Sequence, residues 1–344
     1  MMPPTNAAGD RRRHVRRLLV LASAAAVVAG TSLPSSSAGV RVTDAPLVAS
    51  QPKPPAAGAW FGAHVNPRYN KSQLESIHYF QSQLDRHLDV ANKYHGFSDH
   101  NYKVEASLIA SGTTPLISWR GTDNSNDSHR AAAIAKGNYD ATITATANAI
   151  RGLNGGVLLR FNWEMDQPPG SRQHIGSPTE FVAAWKHIYK IFQAHGATNA
   201  AFVWAPRAGA WNKNVAESFY PGDAYVNWIG ASSVPVGSWP SFTSIFSTFY
   251  KSTTSKHPGK PLLIWAGVRE NPHDSSYKAS WMTSVAKTLP QWPAVKAFVY
   301  YHAQSPLGYL FWADTSRQSF AAYKMDACLH YFHTSSRTGE CSGA

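Results

Sequence analysis

The sequence predicts a (β/α)8 barrel, and three observations carry that prediction. Strand-like runs alternate with loops and helix-like runs from Ala59 onward, and eight such runs are found. The segment that holds them is about 285 residues long, within the size range of one such barrel. The fourth run, Val157 to Phe161, leads through Asn162-Trp163 to a single acid, Glu164. A lone desolvated carboxylate is costly, so an acid where a buried strand meets its loop is seldom mere packing. The loop end of the strands is where such barrels carry their chemistry.

The elements follow in chain order. Arg11, Arg12, Arg13, Arg16 and Arg17 precede an apolar run from Leu18 to Ala29, and small residues follow. This is the pattern of a signal peptide over residues 1–38, by a Sec or twin-arginine route, and it implies a secreted protein without a stable membrane anchor. Residues 39–58, with Pro46, Pro52, Pro54 and Pro55, read as an extended linker. Residues 59–344 are then a single domain, expected to be monomeric. Expected strands are Trp60–Asn66, Leu88–Lys93, Thr114–Trp119, Val157–Trp163, Ala200–Trp204, Val226–Ala231, Pro261–Trp265 and Lys296–Tyr301. Asn154-Gly155-Gly156 turns the chain into the fourth, and Pro168-Pro169-Gly170 forbids its continuation. Ser177-Pro178-Thr179-Glu180 is a capping box with proline at the first helical position. Phe181, Ala184, Trp185, Ile188 and Phe192 then share one face, and Gly196 ends the helix. Weaker helical patterns cover Asp140–Arg151, Phe242–Thr254 and Ser275–Leu289.

Composition excludes several function classes. The formal charge is +12, and residues 1–38 hold five arginines against Asp10, which leaves +8 for the rest. That balance suits acidic polymers or wall surfaces. The cations are scattered instead of clustered among aromatics, which argues against nucleic acid. No His-Glu-x-x-His or similar ligand set occurs among the 15 histidines, so neither a metal nor another cofactor is expected. No Gly-x-Ser-x-Gly elbow supports an esterase. Cys328 and Cys341 read as a disulfide pinning the C-terminal tail.

Trp119, Trp163, Trp204, Trp265 and Trp312 lie at or near strand ends, where flat rings suit the apolar faces of sugars. Cleavage of a glycosidic bond needs a proton donor and a second carboxylate that attacks carbon or activates water. Glu164 fits the first role, with Arg160 and Trp163 shaping its surroundings. The competing reading is a structural glutamate paired with Arg160. His64 and His302 end strands one and eight and are further candidates for substrate contact.

Ordered motifs then bring a family into view. Ile134-Ala135-Lys136-Gly137-Asn138-Tyr139-Asp140 precedes Arg160-Phe161-Asn162-Trp163-Glu164-Met165-Asp166. Phe202-Val203-Trp204-Ala205-Pro206 and Tyr220-Pro221-Gly222-Asp223-Ala224-Tyr225-Val226-Asn227-Trp228-Ile229-Gly230 follow. Over roughly residues 60–325 this succession resembles glycoside hydrolase family 26, of endo-β-1,4-mannanases and some β-glucanases. The resemblance implies a (β/α)8 barrel, a retaining mechanism, a polysaccharide partner and Glu164 as acid/base. It also marks two departures. Where the family carries its nucleophilic glutamate at the end of strand seven, this chain reads Lys260-Pro261-Leu262-Leu263-Ile264-Trp265-Ala266-Gly267. Where the family tends to Asp-x-Tyr after strand six, it has Ser232-Ser233-Val234. Glu270, in the next loop, is the substitute nucleophile to test, and Asp123 or Asp314 the water-activating base of an inverting scheme. Asp166 reads as a binding or turn residue. Two further readings stand beside a mannan-like hydrolase. One is a glycan-binding barrel without turnover, and the other is an enzyme acting on an acidic glycan.

Overall fold

The computed structural model describes residues 49–122, 130–332 and 341. Eight strands close into one barrel in chain order: β1 (Trp60–Val65), β2 (Val90–His95), β3 (Thr114–Trp119), β4 (Val157–Phe161), β5 (Ala200–Trp204), β6 (Trp228–Ser233), β7 (Leu262–Ala266) and β8 (Val295–His302). Every pairing is parallel, and the β1–β8 ladder, from Trp60 beside Ala297 to Val65 beside His302, completes the ring. Helices α1 (Gln73–Leu84), α2 (Lys103–Ala110), α3 (Arg130–Ala135), α4 (Asp140–Arg151), α5 (Pro178–Ala194), α6 (Ala208–Asn212), α7 (Phe242–Lys256), α8 (Tyr277–Thr288) and α9 (Arg317–Ala327) alternate with them. The expected (β/α)8 class is the observed one.

Period-two alternation sorts the strand side chains into two cores. Val90, Leu116, Leu158, Ala201, Val203, Trp228, Leu263, Trp265, Val299 and Tyr301 fill the barrel. Their neighbours Phe61, Ile117, Trp119, Phe161, Phe202, Trp204, Ile264 and Ala266 meet the helices instead. Near the strand beginnings Trp60 and Trp228 stack across the interior with centroids 5.4 Å apart. On the outside, α5 buries Phe181, Ala184, Trp185, Ile188 and Phe192, the face its spacing marked. Each large apolar side chain so buried stabilises by roughly 1.5–3 kcal/mol. The α5 capping box is formed, with Ser177 Oγ accepting from the Glu180 amide at 3.3 Å and Glu180 Oε2 accepting from the Ser177 amide at 2.7 Å. The same signature, Ser72 with Glu75, caps α1, a helix the sequence reading passed over.

Several strand boundaries move by one or two residues, and β4 ends at Phe161, two residues short of the expected Trp163. β2 and β6 each start two residues later than expected, because the residues before them serve the loops. The Leu88 amide donates to Gln81 Oε1, and Asn227 Oδ1 accepts from the Phe202 amide. The end of the expected linker is also engaged with the barrel. Gln51 Nε2 donates to the Ala200 carbonyl at 3.1 Å, and a Cβ on Gly156 would lie 2.4 Å from the Ser50 carbonyl oxygen. Cys328 and Cys341 form a disulfide, and the Cys341 amide donates to the Asp85 carbonyl at the end of α1. The expected signal peptide lies outside the described residues. No helix among the described residues is long and apolar enough to cross a membrane.

Candidate active site

Glu164 is set by strained backbone. β4 stops at Phe161, and Asn162 and Glu164 then adopt left-handed conformations, with φ of 40° and 57°. Non-glycine residues there cost of order 1–3 kcal/mol each and persist only where neighbours enforce them. The neighbours are the flanking strand ends: the Asn162 amide donates to the Trp119 carbonyl and the Glu164 amide to the Ala205 carbonyl, both at 2.8 Å. The buried Asn162 side chain adds a clamp. Its Oδ1 accepts from the Gly121 amide at 3.1 Å and its Nδ2 donates to the Gln173 carbonyl at 2.8 Å.

The Glu164 side chain, half-buried, stands where two cavities meet. One, of about 340 Å³, is lined by His64, Tyr94, Arg120, Trp163, Trp265 and Tyr301 among others. The other, of about 670 Å³, lies toward β5 and β6 and is lined by Asp166, Arg207, Lys213 and Ser232 among others. Both include Glu164 and Val234, so together they form one cleft across the loop end of the barrel. Gln167 Nε2 donates to Glu164 Oε2 at 3.0 Å. Burial raises the pKa of Glu164 above its ordinary value, against the smaller opposing effects of the Gln167 bond and Arg160. A carboxylic acid whose pKa is raised beside an open cleft is suited to donate a proton to a leaving oxygen.

Arg160 forms the floor and is fully buried. Its Nε and Nη2 donate to Ser118 Oγ at 3.1 and 2.8 Å, and Nη2 also to Asn92 Oδ1 at 3.2 Å. Its guanidinium carbon lies 5.0 Å from the Trp265 ring centre and 5.4 Å from that of Trp163. Among the described residues it makes no ion pair within 4.0 Å, with Glu164 or any other acid. Arg160 thus supports the rings and leaves the Glu164 carboxyl unpaired. His64, expected at the end of β1, does face the cleft, and burial lowers its pKa to about 4, so it is neutral near pH 7. Burial likewise pushes Tyr301 up to about 12 and Tyr94 higher still.

The other expected residues are scattered. Trp163 and Trp265 line the cleft. Trp119 and Trp204 do not: both point outward, because the inward positions of β3 and β5 fall on Leu116, Ser118, Ala201 and Val203. Trp119 stacks on Phe97 and donates to its carbonyl, while Trp204 packs on Trp211 and Tyr220. Trp312 lies against the Arg68 guanidinium at 4.1 Å, away from the residues lining the cleft. Glu270, the substitute nucleophile, accepts from Thr315 Oγ1 and Ser319 Oγ at 2.7 Å each and lines neither cavity. Asp314 is held by Arg68 at 2.8 Å, and His302 accepts from the Ala313 amide behind it. Asp123 lies outside the described residues. Asp166 lines the larger cavity but is committed: Oδ1 and Oδ2 accept from the Arg207 amide and Nε at 2.8 Å. At the end of β7 the inward residue is Trp265, so an indole fills the place the resemblance reserves for a carboxylate. The sequence reading missed Tyr94, Tyr301 and Arg207. Tyr94 and Tyr301 share the inward parity of their strands, which was the available signal.

No protein-family model matches the chain. It is similar to Endoglucanase H of Acetivibrio thermocellus, at 24% identity over 289 residues, covering 78% of this chain. The chain spans about 30% of the length of that relative. Solved structures reproduce the barrel. A modular endo-β-1,4-mannanase of family 26 from Cellulomonas fimi superposes with a TM-score of 0.62 at 16% identity, covering 80% of this chain and 71% of that one. The family 26 β-mannanase BoMan26A of Bacteroides ovatus gives 0.59 at 14%, covering 80% and 90%. A β-mannanase from a symbiotic protist of the termite Reticulitermes speratus, solved with a gluco-manno-oligosaccharide, gives 0.56 at 14%, covering 81% and 94%. The fold is that of the family 26 mannanases. The likeness read from the motifs is therefore met at the level of the barrel.

Proposed function

We propose that this protein is a secreted glycoside hydrolase that cleaves within the chain of a β-linked, mannan-like polysaccharide, with Glu164 as proton donor. One observation carries the reading: a carboxyl with a raised pKa and no ion pair among the described residues sits between two arms of an open cleft, one of them walled by Trp163, Trp265, Tyr94 and Tyr301. Flat rings along that arm suit sugar faces, and an acid at the junction suits attack on an internal linkage. The fold neighbours described as mannanases, one holding a gluco-manno-oligosaccharide, and the relative described as an endoglucanase support the same substrate class.

Hydrolysis also needs a second group. Asp166 is bound to Arg207, and Glu270 and Asp314 are engaged outside the cleft. Asp123, which follows β3 in the sequence and lies outside the described residues, is the acid we assign to water activation, which makes the mechanism inverting. The test is release of reducing ends from mannan, glucomannan and β-glucan by the wild type, Glu164→Gln and Asp123→Asn. The reading expects wild-type release, with both variants lowered by about two to four orders of magnitude. Tight binding of these polymers with no release by the wild type would replace it with a glycan-binding barrel.

A further inference from the structure

The two arms of the cleft differ in which charged groups line them: Arg120 in the smaller, and Asp166, Arg207 and Lys213 in the larger, with Glu164 common to both. Among the described residues lining the larger arm the carboxyls are Glu164, whose pKa burial raises, and Asp166, which is already bound by Arg207. Two cations, Arg207 and Lys213, line it as well. Arg207 uses its Nε and Nη2 on Asp166, its Nη1 makes no hydrogen bond among the described residues, and its side chain is 36% exposed. Lys213, exposed on the same wall, makes no ion pair with a described residue. Ser232 lines the same cavity at 1% exposure, and its Oγ is buried with no hydrogen-bond partner among the described residues. A buried hydroxyl left unsatisfied costs free energy, and one carried by a cavity-lining residue is a donor that a ligand oxygen can satisfy once it is reached.

We propose that this arm binds an anionic group carried by the polysaccharide, a uronate carboxylate or a sulfate ester, between Arg207, Lys213 and Ser232. The inference rests on the glycan-cleaving reading above and narrows its substrate to an acidic or acid-decorated chain. Charge-assisted bonds from Arg207 Nη1 and Lys213 Nζ hold the anion, and the Ser232 hydroxyl supplies a neutral donor. Uronate and sulfate share this chemistry and differ in shape and charge, so both are tested. The surplus of +8 beyond residues 1–38 steers such a polymer toward the surface at low salt.

The experiment uses the full chain carrying Glu164→Gln, so that turnover does not consume the ligand. Binding is measured by calorimetry for three oligosaccharides of equal length: neutral manno-oligosaccharide, a glucuronate-bearing one and a sulfated one. Each is run at low and high ionic strength. The expected result is roughly three- to tenfold tighter binding of at least one acidic ligand, with the advantage shrinking as salt rises. Adding Lys213→Glu abolishes that advantage without altering the neutral ligand. Lys213 is exposed, so the variant folds, and Ser232→Ala gives an independent loss of about two- to fivefold for the acidic ligand alone. Neutral and acidic ligands binding equally would overturn this inference and leave the mannan reading intact. Binding of none of the three would remove the glycan reading itself, and this inference with it.

Discussion

Replacing Glu164 by glutamine separates a proton donor from a structural anion in one measurement of stability against pH. Burial holds the Glu164 pKa above its ordinary value of 4.5, so the folded protein keeps the carboxyl neutral where the unfolded chain ionises it. The sign follows from linkage. Below the unfolded value both states are protonated, and the wild type and Glu164→Gln should be equally stable. As pH rises through that value the unfolded chain sheds its proton and the folded one does not, so the wild type loses stability. The loss stops growing once pH exceeds the folded pKa. Each tenfold displacement of the protonation equilibrium corresponds to about 1.4 kcal/mol. Glutamine escapes this loss while preserving shape, and it can still meet the Gln167 amide, now through its own carbonyl. Calorimetric melting across pH should therefore show Glu164→Gln melting above the wild type near neutrality and converging with it at acid pH. Activity moves the opposite way, falling by about two to four orders of magnitude. A variant that is less stable than the wild type at neutral pH, by a margin that widens with pH, would refute the reasoning. That pattern belongs to an ionised glutamate in an ion pair.

Three further outcomes are expected. Asn162→Ala removes two hydrogen bonds made by a buried side chain and leaves a Cβ-bearing residue at φ 40°, so urea unfolding should show a loss of about 2–4 kcal/mol, with activity falling as Glu164 loses its clamp. Trp265→Ala empties a 3% exposed indole site and uncovers Arg160, which should cost about 3–5 kcal/mol, whereas Trp265→Phe should stay folded and weaken oligosaccharide binding several-fold in calorimetry. Cys328→Ser opens a 13-residue separation in the tail and should lower stability by about 3 kcal/mol, an effect that reduction of the wild type reproduces in the same melting experiment.

The period of the apolar pattern was enough to write most of this fold. Strand β3, strand β5 and the buried face of α5 lie where their residue spacing placed them, because two- and 3.6-residue repeats are local properties of the chain. Glu164 was legible for the same reason, as an acid terminating an apolar run. The tryptophans were not. All five stand near strand ends in the chain, yet Trp265 faces the cleft and Trp204 faces a helix. One step of strand parity separates those fates, and which parity points inward is set by barrel closure. Closure likewise sent Glu270 to Thr315 and Ser319, paired Asp166 with Arg207, and left Arg160 under the rings instead of beside Glu164. Sequence alone determined the barrel, the order of its eight strands and its one conspicuous acid. Only the tertiary structure decided which groups share the cleft with that acid, because those partners come from strands and loops far apart in the chain, and their meeting depends on register and packing that no local window contains.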